Sequence, residues 1–138
     1  MLLLFLCFIV FSLPLAPVKE IKEDAQEKEV QVYIDRAYQS SYSDPVRAIS
    51  FSNTAILKAE LSGDRNLLCR ALVALGRSYV NLGSFDMGFE AFYNALDKCP
   101  PENKQLQAQI NVNIGHLYIS VGLSLIHISE PTRLALIS

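Results

Sequence analysis

The chain has no tryptophan, two histidines, three cysteines and a formal charge of only −2 over 138 residues, and each shortage removes a class of function. Its 12 basic and 14 acidic side chains are interspersed, so there is no basic stripe of the kind that a phosphate backbone requires. Nucleic acid is not an expected partner. No pair of Cys or His residues has metal-ligand spacing, which leaves no expected metal site. Glycine-rich phosphate loops are missing, carboxylates do not cluster at a break between elements, and ahead of the C-terminal tail only one histidine, His116, is present. No catalytic residue and no cofactor is expected, and the chain does not read as an enzyme. Strand alternation bounded by hairpin turns is missing too, so the fold class is all-α.

What is present begins with an apolar run, Leu2 to Leu13 (LLLFLCFIVFSL), ended by Pro14. A bilayer-spanning helix needs about 20 such residues, whereas this length suits the core of a signal peptide. Residues 1–16 therefore read as an export signal, although only the Met1 amine supplies positive charge ahead of the core. A small-residue cleavage site could use Val10 and Ser12, whereas cutting after Ala16 would leave Pro17 behind the bond; an uncleaved anchor and a buried helix are the alternatives. Contact with a membrane is expected only through that segment or through an anchor further downstream. After export the chain keeps Cys69 and Cys99, which sit beside apolar positions and read first as small buried hydrophobes; a disulfide between them is the second reading.

Residues 17–29 are a charged lead-in, solvated, passing into a helix that starts near Ala25. Val30, Ile34, Ala37 and Tyr38 give that helix one apolar face. Ser43, Asp44 and Pro45 end it and open the next, because proline disfavours helix before it and suits the first turn after it. The second helix spans Pro45 to Leu61 and stops at Ser62-Gly63-Asp64. A third runs from Arg65 to Leu82 and ends at Gly83, and a fourth from Phe85 to Lys98, ended by Pro100 and Pro101. A fifth starts near Asn103 and reaches Val121, with Gly122 in the place that Gly83 held.

Within this pattern LGRSYVNLG (Leu75 to Gly83) recurs as IGHLYISVG (Ile114 to Gly122), and Ala48, Ser52 and Ala55 correspond to Gly88, Phe92 and Ala95. The period is about 40 residues, in the range of stacked helical hairpins. Leu72, Leu75, Gly76, Tyr79, Gly88, Phe92, Ala95 and Pro100 fall at the signature spacing of the tetratricopeptide repeat, which the central unit resembles; leucine stands at Leu72 where tryptophan is typical. The resemblance implies antiparallel hairpins stacked as an α-solenoid fragment, about two and a half repeats over residues 30–122. Small Gly76 and Gly88 would let the helices cross, with Tyr79 and Phe92 filling the space beside them. The first unit keeps Ala48, Ala55 and the Asp44-Pro45 turn but lacks the leucine-glycine and tyrosine.

In such repeats the first helix of each hairpin lines a concave groove. The resemblance places Arg70, Val73, Arg77, Val80 and Asn81 there, followed by Gln109, Val112, Asn113, His116 and Ile119. The polar members, Arg70, Arg77, Asn81, Gln109, Asn113 and His116, are the candidate binding residues for a protein or peptide ligand. Solvated helix charges for the arginines and a neutral surface histidine for His116 remain open. The lysine and asparagine pattern of repeats that clamp a C-terminal carboxylate is not reproduced. Long turns at ELSGD and KCPPENK are similar to those of sensor-type repeats in exported, periplasmic regions of bacterial signalling proteins. In those proteins a histidine kinase, a nucleotide cyclase or a transcription regulator follows, so the chain reads as either a free scaffold or the input region of such a receptor.

The tail reads differently. Residues 123–133, LSLIHISEPTR, resemble the in-frame translation of a transposase adapter used to prepare sequencing libraries. That resemblance implies that residues 123–138 are not native sequence, and that His127, Glu130 and Arg133 carry no function. Pro131 stands where a helix would be under way. The fifth helix would then expose the face of Ile114, Leu117 and Tyr118, leaving the stack marginal in isolation.

Overall fold

The computed structural model describes residues 18–137, with side chains as far as residue 126; the expected export signal lies outside the described residues. Five helices follow one another: α1 (Val18–Ser40), α2 (Pro45–Ser62), α3 (Arg65–Leu82), α4 (Phe85–Lys98) and α5 (Lys104–Ile137). Among the described residues there is no strand. The punctuation acts through identifiable bonds. Asp44 caps α2 by accepting the Arg47 backbone N–H at 3.0 Å, ahead of Pro45 at the first helical position. Asp64 does the same for α3 through the Leu67 N–H at 3.0 Å, and Asn103 for α5 through the Leu106 N–H at 3.1 Å; such a cap contributes about 1 kcal/mol. Gly63 and Gly83 end α2 and α3 with φ of 74° and 85°, a left-handed backbone that only glycine adopts without penalty.

Two boundaries differ from the sequence expectation. α1 starts at Val18 rather than near Ala25, and every side chain from Val18 to Glu29 is exposed. This lead-in is helical through the propensity of Lys, Glu, Gln and Ala, with a minor contribution from the exposed Asp24–Lys28 pair at 2.8 Å. α5 does not stop at Gly122 but continues to Ile137 with Pro131 inside it. Gly122 is not among the glycines with positive φ. Glycine permits a left-handed turn without imposing one, and at Gly83 the turn is fixed by α4 folding back.

The packing register follows from contacts between particular residues. Cys69 at the start of α3 bonds Ala95 near the end of α4, whereas Val80 near the end of α3 meets Gly88 near the start of α4, so the two helices are antiparallel. Lys58 to Glu29 and Phe51 to Tyr33 set α2 antiparallel to α1 in the same way. Between hairpins the register is parallel: Asn81 of α3 reaches Ser41, 40 residues back, and Asn103 beside α5 reaches Asn66, 37 residues back. The spatial offset therefore matches the period read from the repeated segments. α3 packs against α1 and α5 as well as against its chain neighbours α2 and α4.

The core has two parts that share α3. Val30, Ile34, Ala55, Ala59, Leu67 and Ala71 join α1, α2 and α3; half of them are alanines. Cys69, Leu72, Phe92, Ile110, Ile114 and Leu117 belong to the second part, between α3, α4 and α5. Phe92 is its largest fully buried side chain, and burial of such a ring contributes about 3 kcal/mol. A Cβ on Gly76 would lie 2.6 Å from Phe92 Cε1, and one on Gly88 would lie 2.9 Å from Val80 Cγ2 and 3.3 Å from Leu117 Cδ2. Small residues thus stand where helices cross. Buried Ser52 and Ser78 return their hydroxyls to the carbonyls of Ala48 and Ala74 at 2.9 and 2.8 Å, which satisfies them within their own helices.

Ile114 and Leu117 correct the expected exposed face: both are buried in the second core, because this side of α5 rests on α3 and α4. Tyr118 is exposed, as expected, and Tyr79 is only half-buried rather than a full partner of Phe92.

Candidate functional site

α1, α3 and α5, with the turn after α1, line two adjoining open clefts of about 590 and 420 Å³ that have Arg77 and Gln109 in common. Arg77, Asn81, Gln109, Asn113 and His116 line the larger, and Arg70, Arg77 and Gln109 the smaller. All six candidate residues from the sequence therefore lie along one groove. Val73, Val80 and Val112 supply apolar wall, as expected, but Ile119 lines neither cleft and points to solvent. Phe92 of α4 contributes to the floor.

Repeat register explains the convergence. The alignment that sets Gly76 on Gly115 sets Arg77 on His116 and Asn81 on Ser120, and one unit further back it reaches Tyr38 and Tyr42. All six of these side chains line the groove. Tyr38 and Tyr42 were missed because the first unit lacks the glycine that anchors the alignment, and Tyr38 fits an apolar helix face equally well. Carrying the register back through Ala37, which is fully buried where Gly76 stands in α3, would have found them.

Individual side chains are held to different degrees. The Arg77 guanidinium lies over the Tyr38 ring, 5.1 Å from its centroid, a contact worth about 0.5–1 kcal/mol. Burial pushes the Tyr38 phenol above its ordinary pKa, opposed by the nearby positive charges of Arg77 and Arg70. Asn81 spends its Nδ2 donor on the Ser41 carbonyl at 3.0 Å, tying α3 to the turn after α1. Asn113 Nδ2 bonds the Gln109 carbonyl at 3.0 Å, one turn back, and this local bond offsets the modest helix propensity of asparagine. Among the described residues neither Arg70 nor Arg77 has a carboxylate within ion-pair distance.

Nothing in the groove assembles a nucleophile, a base and an orienting acid, and among the described residues no group of His, Cys, Asp and Glu could hold a metal ion. Cys69 and Cys99 lie outside the groove, buried and free. The Cys69 thiol donates to the Ala95 carbonyl at 3.3 Å, the same oxygen that accepts the Cys99 backbone N–H at 2.9 Å. Burial, and after it the neighbouring Cys99 thiol, pushes the Cys69 thiol up to about 12. It is a protonated, unreactive core group at neutral pH. Among the described residues no helix is long and apolar enough to cross a membrane. No protein-family model, no curated protein and no solved structure matches the chain.

Proposed function

We propose that this chain is a tetratricopeptide-repeat scaffold that binds a peptide or protein segment in the groove between α1, α3 and α5 and performs no chemistry. The observation that carries this reading is the register. Side chains at equivalent positions of three successive first helices, Tyr38, Arg77 and His116, line one continuous groove. A surface repeated at a fixed step suits a ligand that is itself extended and repetitive, as a polypeptide is. The groove mixes apolar wall with amides and cations, which complements a peptide backbone and its side chains better than a small molecule.

Selection of random peptides displayed on phage tests this. Recovered peptides should bind the purified chain and lose most of that affinity on Gln109→Arg or Asn113→Trp, which block the groove without entering the core. Peptides whose binding is indifferent to both substitutions would contradict the reading.

Export to the periplasm, as a free scaffold or as the input region of a signalling receptor, is the companion proposal and rests on the apolar run from Leu2 to Leu13. Residues 1–24 fused to a reporter active only outside the cytoplasm should give signal that Leu6→Arg with Ile9→Arg abolishes. Equal signal from both fusions would refute it.

A further inference from the structure

We infer that the groove selects an acidic segment, recognised through side-chain carboxylates by Arg70 and Arg77; this rests on the peptide-binding reading above. The chain carries more acidic than basic side chains, 14 against 12, yet neither cleft has an Asp or a Glu in its lining. The ion pairs of the described residues lie elsewhere, at Asp24–Lys28, Glu29–Lys58 and Asp97–Lys98. Both groove arginines are partly buried and neither has a carboxylate partner. The nearest negative charge acting on this end of the groove is the exposed Asp35, which raises the Tyr38 phenol but pairs with neither arginine. A cation in a concave site without a paired carboxylate attracts an anion more strongly than the same cation on an open surface.

Geometry adds to charge. Arg70 and Arg77 are two helical turns apart on the same side of α3, about 10 Å along the axis at 1.5 Å per residue. The Arg77 guanidinium is anchored beside the Tyr38 ring, 5.1 Å from its centroid, a contact that uses none of its N–H donors, and a planar carboxylate is the acceptor that such a fork binds bidentately. Gln109, common to both clefts, stands between the two positions with an amide suited to a ligand backbone. An extended ligand rises about 3 Å per residue, so the matching carboxylates are about three residues apart.

The test measures fluorescence anisotropy of three labelled dodecapeptides, amidated at the C-terminus and identical except for two positions three residues apart that hold Glu, Gln or Lys. A fourth probe, the Gln peptide with a free C-terminal carboxylate, separates side-chain from terminal recognition. The Glu peptide should bind the full chain about tenfold more tightly than the Gln peptide, the Lys peptide should bind more weakly than either, and the gap should shrink as salt rises. Arg70→Gln and Arg77→Gln should each weaken the Glu peptide more than the Gln peptide and so narrow the gap, whereas Arg65→Gln, on the same helix outside the groove, should leave the gap unchanged. Equal binding of the Glu and Gln peptides would overturn the inference and leave the peptide-binding reading standing. Preference for the free terminal carboxylate over the Glu side chains would also overturn it. Absence of binding by every probe, at concentrations where the phage-selected peptides bind, overturns the inference alone; absence for those peptides too overturns both.

Discussion

LGRSYVNLG in α3 and IGHLYISVG in α5 carry glycine, tyrosine and glycine at one spacing, but the structure uses the two segments differently. A Cβ on Gly76 would collide with Phe92, whereas one on Gly115 would meet nothing within 4 Å. Gly83 turns the chain with a left-handed φ, while Gly122 stays inside a helix. Tyr79 is half-buried; Tyr118 is 58% exposed, its ring 4.6 Å from that of Phe89 and its hydroxyl 3.1 Å from that of Tyr93. The difference lies in the neighbours. α3 has α4 folded back across it, and among the described residues no helix follows α5. A glycine in this motif is thus required by the helix that crosses it, and without that helix the same residue only loosens the one it sits in.

Substitutions can break or sharpen this contrast. Phe92→Ala should have the largest effect, a loss of about 3–5 kcal/mol in urea unfolding, because it empties the space that the Gly76 crossing encloses. Gly76→Leu should follow at about 3 kcal/mol through overpacking against the same ring, and in a double-mutant cycle the two losses should be far from additive. Arg77→Ala removes only the contact with Tyr38 and should cost less than about 1 kcal/mol, whatever it does to ligand binding. A melt that ranked Arg77→Ala above Gly76→Leu would mean that core and groove faces had been exchanged.

Cys69 provides a pH handle on the same hairpin. Its folded pKa of about 12 lies above the ordinary value of 9.0, so the folded state resists forming the thiolate. The stability this represents is complete below pH 9 and is lost as pH rises towards 12. The stability difference between the native chain and Cys69→Ala should therefore narrow as pH rises above 9, and a constant difference would place the thiol in a more polar site.

How far the sequence was legible follows the same division. The limits of α2, α3 and α4 could be read from Pro45, Gly63, Gly83 and Pro100 because each of those residues acts on the backbone locally. The start of α1 could not, since residues 18–29 have no apolar stripe and are helical without burying anything. The end of α5 and the burial of Ile114 and Leu117 were misread for a different reason. Both depend on which helices lie against α5, a property of its neighbours rather than of its own residues. Arg77 and His116 were found because the glycine register holds in their units, and Tyr38 and Tyr42 were missed where it lapses.

Parallel urea titrations of Gly76→Ala and Gly115→Ala test the central claim most directly, because the two changes are chemically identical and differ only in what crosses the helix. Alanine improves helix propensity by about 1 kcal/mol at either site, but at Gly76 the clash with Phe92 should outweigh that gain. The account predicts a lowered midpoint for Gly76→Ala and a raised one for Gly115→Ala; shifts of the same sign and similar size would contradict it.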